Sequence, residues 1–225
     1  MKFIQKTFQG MMVAFKRFPL AITSLISETI LLYYIISLDK DPSTFYLKIV
    51  FIFLVLIVEG ISVEFLIERF NRSLKFKQFA YLGALALVTI YAFIIWPSPE
   101  IDYLVGTRTV VALFALTCAG LYIPSYKNAF EFNLVALTAF KAMFTSVLYA
   151  FVLFLGLFAT IASIDILLFN VDEKMYAYTA VTVWGLFMVT YFLSLLPDFN
   201  SQEESDIEKR NEIINFPKIL LILIS

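Results

Sequence analysis

The sequence predicts an all-α fold: a polytopic transmembrane helix bundle of about six spans plus a partial seventh, with a cytoplasmic N-terminus. Three observations predict it. They are the composition, the spacing of the apolar runs, and the distribution of the basic residues.

The 225 residues are 61% hydrophobic and only 16% charged. A soluble domain is nearer half apolar and a quarter charged. The mean hydropathy of +0.86 carries the same message. There is more apolar surface than one water-soluble core can bury.

The apolar runs recur at the length of a membrane span. Residues 1–17 come first and are not a span. Ile4, Phe8, Met11, Met12 and Phe15 share one helical face, with Lys2, Lys6, Lys16 and Arg17 elsewhere. That pattern suits a basic amphipathic segment lying in the headgroup region. A basic pre-helix that only fixes orientation fits equally well. A cleaved signal peptide is not expected, because the following apolar stretch is too long and lacks a small-x-small site.

A six-span bundle is expected over 18–196. Span one covers Phe18 to Leu38, with Pro19 in its first turn where a missing N–H costs nothing. Asp39-Lys40-Asp41-Pro42 is a polar turn. Span two covers Phe45 to Phe65, and a charged loop follows. Span three runs from Gln78 to Trp96 and stops at Pro97-Ser98-Pro99. Span four runs from Tyr103 to Ile123 and stops at Pro124. Each has the roughly 20 residues that cross ~30 Å of hydrocarbon.

The stretch from Phe130 to Asn170 is too long for one straight span. It reads as an interfacial lead-in over 128–140, a snorkelling Lys141, and a fifth span over about 141–168. Span six covers Met175 to Leu196 and ends at Pro197. Residues 197–215 form a polar, acidic cytoplasmic loop, where Ser201 and Glu204 make a capping box. Residues 216–225 read as the start of a truncated seventh span.

The basic residues give the orientation. Thirteen of the 17 fall on the side of the N-terminus in this topology. Only Lys40, Lys48, Arg108 and Lys174 fall on the other. A positive-inside bias then places the N-terminus on the cytoplasmic side of the membrane. Aromatic residues such as Tyr33, Tyr46, Trp96 and Tyr126 sit at the interface levels.

Three segments carry a family resemblance. They are Arg17-Phe18-Pro19-Leu20, the loop Leu168-Phe169-Asn170-Val171 with Lys174-Met175-Tyr176, and Leu195-Leu196-Pro197 followed later by Phe216-Pro217-Lys218-Ile219-Leu220. Together they resemble a family of bacterial polytopic membrane proteins, domain of unknown function four-one-five-three. The resemblance implies the fold class and a membrane location. It implies nothing about activity. Members usually continue through further spans, so it also implies a truncated chain.

Several chemistries are excluded. The chain has no histidine and one cysteine, Cys118. No Ser-His or Cys-His pair can be built, nor a zinc site of the usual type, nor an intrachain disulfide. Cys118 is expected to be a small buried hydrophobe. No Walker A, dinucleotide or H-E-x-x-H motif occurs. An enzyme is not expected, and neither is a cofactor, a metal or a nucleic-acid partner. The expected partners are the lipid bilayer, with a protein partner or a missing C-terminal part of the same protein as further candidates.

Candidate functional residues are ionisable groups inside spans, which are costly there and need a reason. Glu28 lies mid-way along span one and Glu59 in the inner half of span two. They read either as protonatable carboxylates of an ion pathway or as hydrogen-bonded residues that hold helices together. Arg108 and Asp165, at similar depth in spans four and five, are a candidate ion pair. The alternative is that both snorkel outward. Lys48 and Glu64 lie near interfaces and are discounted. Ala80/Ala84, Ala115/Ala119 and Ala159/Ser163 are candidate close-packing pairs.

Three functions compete at this point. The first is a transporter-like protein. The second is a structural or regulatory protein of the cell envelope acting through a protein partner. The third, a membrane enzyme on lipid, has the least support.

Overall fold

A computed structural model describes residues 2–38, 42–70, 73–98, 100–128, 132–168 and 170–198, without the side chains of 2–9 and 127–128. The expected turn at Asp39–Asp41, the acidic loop from 199 onward and the 216–225 segment lie outside these residues.

Every element described is a helix. Helix α1 (Lys2–Arg17) precedes α2 (Pro19–Ser37), α3 (Thr44–Phe70), α4 (Leu74–Ile95) and α5 (Tyr103–Tyr122). A 3-10 turn (Ile123–Asn128) extends α5, and α6 (Phe132–Leu167) follows. The last span is assembled from α7 (Lys174–Ala180), a π-helical segment (Val181–Phe187) and α8 (Met188–Leu195). Six of the described helices, α7 to α8 counted as one, are long and apolar enough to cross a membrane. The chain is a multi-pass membrane protein.

Local sequence sets the ends. Pro19 opens α2 directly after Phe18, whose non-helical backbone breaks α1 from α2. Ser73 caps α4 by accepting from the Phe76 N–H, and Asp102 caps α5 by accepting from the Val105 N–H at 3.0 Å. These side chains satisfy donors that a helix start leaves orphaned.

Helix α6 departs from expectation. It runs unbroken for 36 residues, with no separate lead-in before Lys141. At ~1.5 Å per residue it is about 54 Å long, well beyond ~30 Å of hydrocarbon. One strip makes the difference. Val135, Thr138, Ala142, Ser146 and Ala150 are buried at helical spacing across the expected boundary. Small residues on one face let the whole helix pack as a unit.

Helix α3 is the central element. It packs against α2, α4 and α5. Two glycines allow the close approaches. A Cβ on Gly60 would stand 2.8 Å from the Ala21 backbone N, and one on Gly120 would stand 2.7 Å from Ser62 Oγ. Of the candidate small-residue pairs, only Ala80/Ala84 packs internally, beside Val63 and Ile67. Ala115, Ala119, Ala159 and Ser163 face outward. So does Cys118, which is exposed rather than buried. All five sit on outer helix faces, where lipid rather than protein is the neighbour.

Helix C-termini leave carbonyls without partners, a serious cost where water is scarce. Here cationic side chains from neighbouring helices supply the donors. On the face bearing α1, Arg69 donates to Tyr126 O at 2.7 Å, closing the 3-10 turn after α5. Arg17 donates to Leu196 O at 2.5 Å and Pro197 O at 3.0 Å, closing α8. On the opposite face Lys174 reaches Ser37 O at 3.2 Å at the end of α2. The end of α4 receives buried Lys48, at 2.8 Å from Trp96 O and 2.5 Å from Ser98 O. Lys48 therefore caps a helix rather than snorkelling to the headgroups.

Arg17 does more than cap. Its Nε and Nη2 grip the two oxygens of Glu68 at 2.6 and 2.9 Å. Its guanidinium also lies 4.7 Å from the Phe18 ring centroid. Phe18 is fully buried, edge-on to Phe65, in a core shared with Ala14, Ile22, Leu193 and Leu196. One residue thus ties the α1–α2 junction to the ends of α3 and α8.

Two stability predictions follow from these contacts. Gly60→Ala pushes a methyl onto the α2 backbone and should cost about 1–3 kcal/mol. Gly83→Ala, with open space around it, should be neutral or stabilising. Thermal unfolding of the purified variants in detergent reads both. Arg17→Ala leaves a carboxylate and two helix-end carbonyls unpaired and should cost about 3 kcal/mol. Arg17→Lys should recover little, because an ammonium cannot grip a carboxylate with two parallel bonds and cap a helix at once. Full stability of Arg17→Lys in the same assay would remove Arg17 from this role.

Candidate functional site: buried carboxylates and a lateral groove

Four glutamates lie along the α2–α3 pair, and their surroundings differ. Glu68, at the α1-bearing face, is gripped by Arg17. Glu64 is buried and accepts from the Tyr81 hydroxyl of α4. Glu59 and Glu28 are buried too, at 3% and 6% exposure. Neither is part of an ion pair among the described residues. Glu59 Oε2 has no hydrogen-bond partner among them at all. Ser125 Oγ and Thr190 Oγ1 are the other buried side-chain atoms in that position.

Helix geometry explains where the two carboxylates stand. On α3, Val55, Glu59 and Val63 recur every four residues and so share a face. Val55 packs with Val88 and Tyr91 of α4, and Val63 with Ala84 of α4. Glu59 therefore sits in a row otherwise made of valines, facing α4. On α2, Ala21, Leu25 and Glu28 share the face turned to α3. Gly60 lies against Ala21. The two helices run antiparallel, so Glu59 is level with Ile22. Glu28 stands six residues further along α2, about 9 Å along the axis. The two carboxylates occupy successive depths rather than one shared site.

The hydroxyls near Glu28 do not serve it. Ser24 donates to Leu20 O, Ser27 to Thr23 O and Thr29 to Leu25 O. Each returns its hydrogen to the preceding turn of its own helix. Near as they are to Glu28 in sequence, these hydroxyls are spent on their own helix.

The structure does not bring Arg108 and Asp165 together. The exposed Arg108 makes a long 3.4 Å contact to Ile94 O of α4. Asp165 accepts from the Val171 N–H at 2.7 Å, closing the turn after α6. No ion pair joins them among the described residues. Each meets a backbone need near a helix end instead, Arg108 across to α4 and Asp165 within the turn that follows its own helix.

The sequence reading missed the Arg17–Glu68 grip, because 51 residues separate the partners. A signal was present, however. Arg17-Phe18-Pro19-Leu20 and Leu195-Leu196-Pro197 are two of the three segments that carry the resemblance, and they meet at Arg17.

A second feature is a cavity of about 890 Å³ between α3, α5, α6 and α8. Its polar wall residues are Ser62, Thr117 and Asn133. None of its wall residues is ionisable. The floor is the close contact of Ser62 with Gly120. The groove shares the Ser62 and Phe65 face of α3, whereas Glu59 turns toward α4. The two features are separate. Among the described residues, no group of three or more His, Cys, Asp or Glu side chains could hold a metal ion.

No curated protein matches the chain. No solved structure matches it either. Residues 27–225 match the family described as Domain of unknown function (DUF4153). That match takes in nearly the whole bundle, from the middle of α2 onward. The chain belongs to the DUF4153 family.

Proposed function

We propose that this bundle moves protons or small cations across a bacterial cell membrane, with Glu59 and Glu28 as the exchanging carboxylates. One observation carries the reading: Glu59 Oε2 is buried between apolar helices with no hydrogen-bond partner. A structural carboxylate in such a place is ordinarily paired, because an unpaired one costs several kcal/mol. Glu64 and Glu68 show that this fold pairs its carboxylates where it can. An intramembrane carboxylate left unpaired is placed for binding something that arrives and leaves. Glu28, about 9 Å further along α2, supplies a second station toward the far face. The role is transport rather than catalysis, and no cofactor takes part.

The test is flux into liposomes. Wild-type protein, reconstituted over a pH-sensitive dye, should dissipate an imposed proton or cation gradient. Glu59→Gln and Glu28→Gln should each abolish the flux while leaving thermal stability near wild type. A double Gln variant that behaves as wild type would end this reading. A carbodiimide soluble in the bilayer gives a second readout. It should modify Glu59 in preference to the Arg17-bound Glu68.

The cytoplasmic N-terminus belongs to the same proposal. It is supported by thirteen basic residues against four. Three of the four exceptions, Lys48, Arg108 and Lys174, spend their charge on helix-end carbonyls. In a Cys118→Ser background, cysteines placed at Lys40, Ser98 and Glu173 should label from outside the cell. Cysteines at Ser73 and Ser205 should not. Labelling of the Ser73 position from outside would reverse the topology.

A second reading, a structural or regulatory envelope protein with a protein partner, draws on α6. Its outer face leaves Val152, Leu155, Ile166 and Leu167 exposed, the last two by more than three quarters. A stable hetero-complex that survives detergent extraction, together with absent flux, would favour it.

A further inference from the structure

We propose that Glu59 exchanges the proton alone, and that metal cations are excluded there because the site holds no further ligands for them. The inference rests on the proposed reading of Glu59 as an exchanging carboxylate and narrows it to one substrate.

Ligand supply is the deciding quantity. A metal cation that leaves water must have its hydration shell replaced by protein oxygens. Hard cations take about six or more of them. Glu59 brings only the pair on its own carboxylate. Its row holds Val55 and Val63 of α3, with Val88, Ala84 and Tyr91 of α4 packed against them. Of these side chains only Tyr91 carries an oxygen, and it is spent. Its hydroxyl meets Thr109 Oγ1 of α5 at 2.6 Å, and Thr109 passes its own hydrogen to Val105 O at 2.8 Å.

Backbone carbonyls do not make up the number. Ion sites inside transporters draw on helices that are interrupted or unwound. Here α3 and α4 run without a break, and Glu59 lies in the interior of α3. Carbonyls there are held in the helix ladder. The π-helical segment belongs to the last span, not to either of these helices. The titratable groups on the packed helices are engaged or distant. Tyr81 of α4 donates to Glu64, and Arg108 and Cys118 of α5 are exposed. Glu28 stands about 9 Å along α2. The others on α2, α4 and α5 lie near helix ends.

A proton asks for none of these ligands. It forms a covalent O–H bond and leaves the carboxyl neutral. A neutral carboxyl short of one hydrogen bond is far cheaper to bury than an unpaired carboxylate. A sodium ion in the same place would keep both charges in the apolar row, with most of its coordination empty. The want of partners that makes the charged site costly therefore also chooses its occupant. A path in series passes only what every station accepts, so Glu59 sets the selectivity whatever Glu28 takes.

The test uses the full chain in liposomes loaded with potassium and a pH-sensitive dye. Choline is the external cation, and valinomycin sets a negative interior. Wild-type protein should acidify the interior, and Glu59→Gln should lose that flux. Replacing choline by radioactive sodium should leave proton entry unchanged and bring in no more sodium than empty liposomes take. Sodium entry that Glu59→Gln abolishes would overturn this inference and keep the carboxylate reading. Absence of both fluxes in the wild type would overturn the transport reading, and infrared spectroscopy then decides the site by itself. In nanodiscs at mildly acidic pH, the wild type should show a carbonyl band of a protonated carboxylic acid that Glu59→Gln lacks. Neither sodium nor potassium should bleach it. A missing band, or one bleached by either metal, would overturn the proton assignment. Should Glu59→Gln fail to accumulate, the wild-type comparison of choline with sodium decides alone.

Discussion

Where a helix ends inside or beside hydrocarbon, its last carbonyls must find donors, and water is not at hand to provide them. Much of this structure can be read as the answer to that constraint. The donors come from other helices, so every capped end is also a tertiary contact. Arg17 is the fullest case, because it closes α8 while holding Glu68 of α3. Lys48 fastens the end of α4 to α3, Arg69 the turn after α5 to α3, and Lys174 the end of α2 to the start of α7. Helix α3, the hub of the packing, supplies three of the groups in these contacts. Within apolar faces that slide easily past one another, such bonds fix depth.

This explains why the buried carboxylates stand out. The chain carries nearly as many cations as acids, 17 against 18, and Arg17, Lys48, Arg69 and Lys174 serve helix ends. Glu68 and Glu64 lie near an end and find Arg17 and Tyr81. Glu59 and Glu28 lie a turn or more deeper, among valines, alanines and leucines. Among the described residues no arginine or lysine forms an ion pair with either of them. The difference in pairing is a difference in position along the helix, not in residue type.

The spans were legible in the sequence because each is announced by length and a breaker. Pro19, Pro97, Pro124 and Pro197 mark boundaries that the helices respect to within a few residues. Glu28 and Glu59 were legible for a related reason: a charge inside an apolar run is visible without any partner. What stayed hidden depended on facing. Arg17 and Glu68, or Lys48 and Trp96 O, meet only because α3 sits where it does, and nothing local to either residue states that. The Arg108–Asp165 expectation used depth alone and ignored rotation about the helix axis. The placement of Cys118 and the outward alanines failed in the same way, since an apolar run in a span has no polar stripe to show which side faces protein. Helix α6 was divided because its length exceeds one span. Its buried strip of small residues, which keeps it whole, follows a period too short of contrast to stand out among so many apolar neighbours.

The π-helical stretch in the last span has a geometric consequence of its own. An extra residue in a helical turn advances everything after it by about 100° around the axis. Val181–Phe187 therefore acts as a phase shifter between two differently anchored ends. Above it Tyr178 meets Tyr33 at 5.0 Å, and in its first turn Thr182 bonds the Tyr33 hydroxyl. Below it, Tyr191 stacks on Phe187 and meets Tyr149 of α6 edge-on at 5.4 Å. A uniform α-helix carrying the same side chains would present one of these two sets to the wrong neighbour. The wider turn lets one span obey two incompatible angular alignments, one against α2 and one against α6.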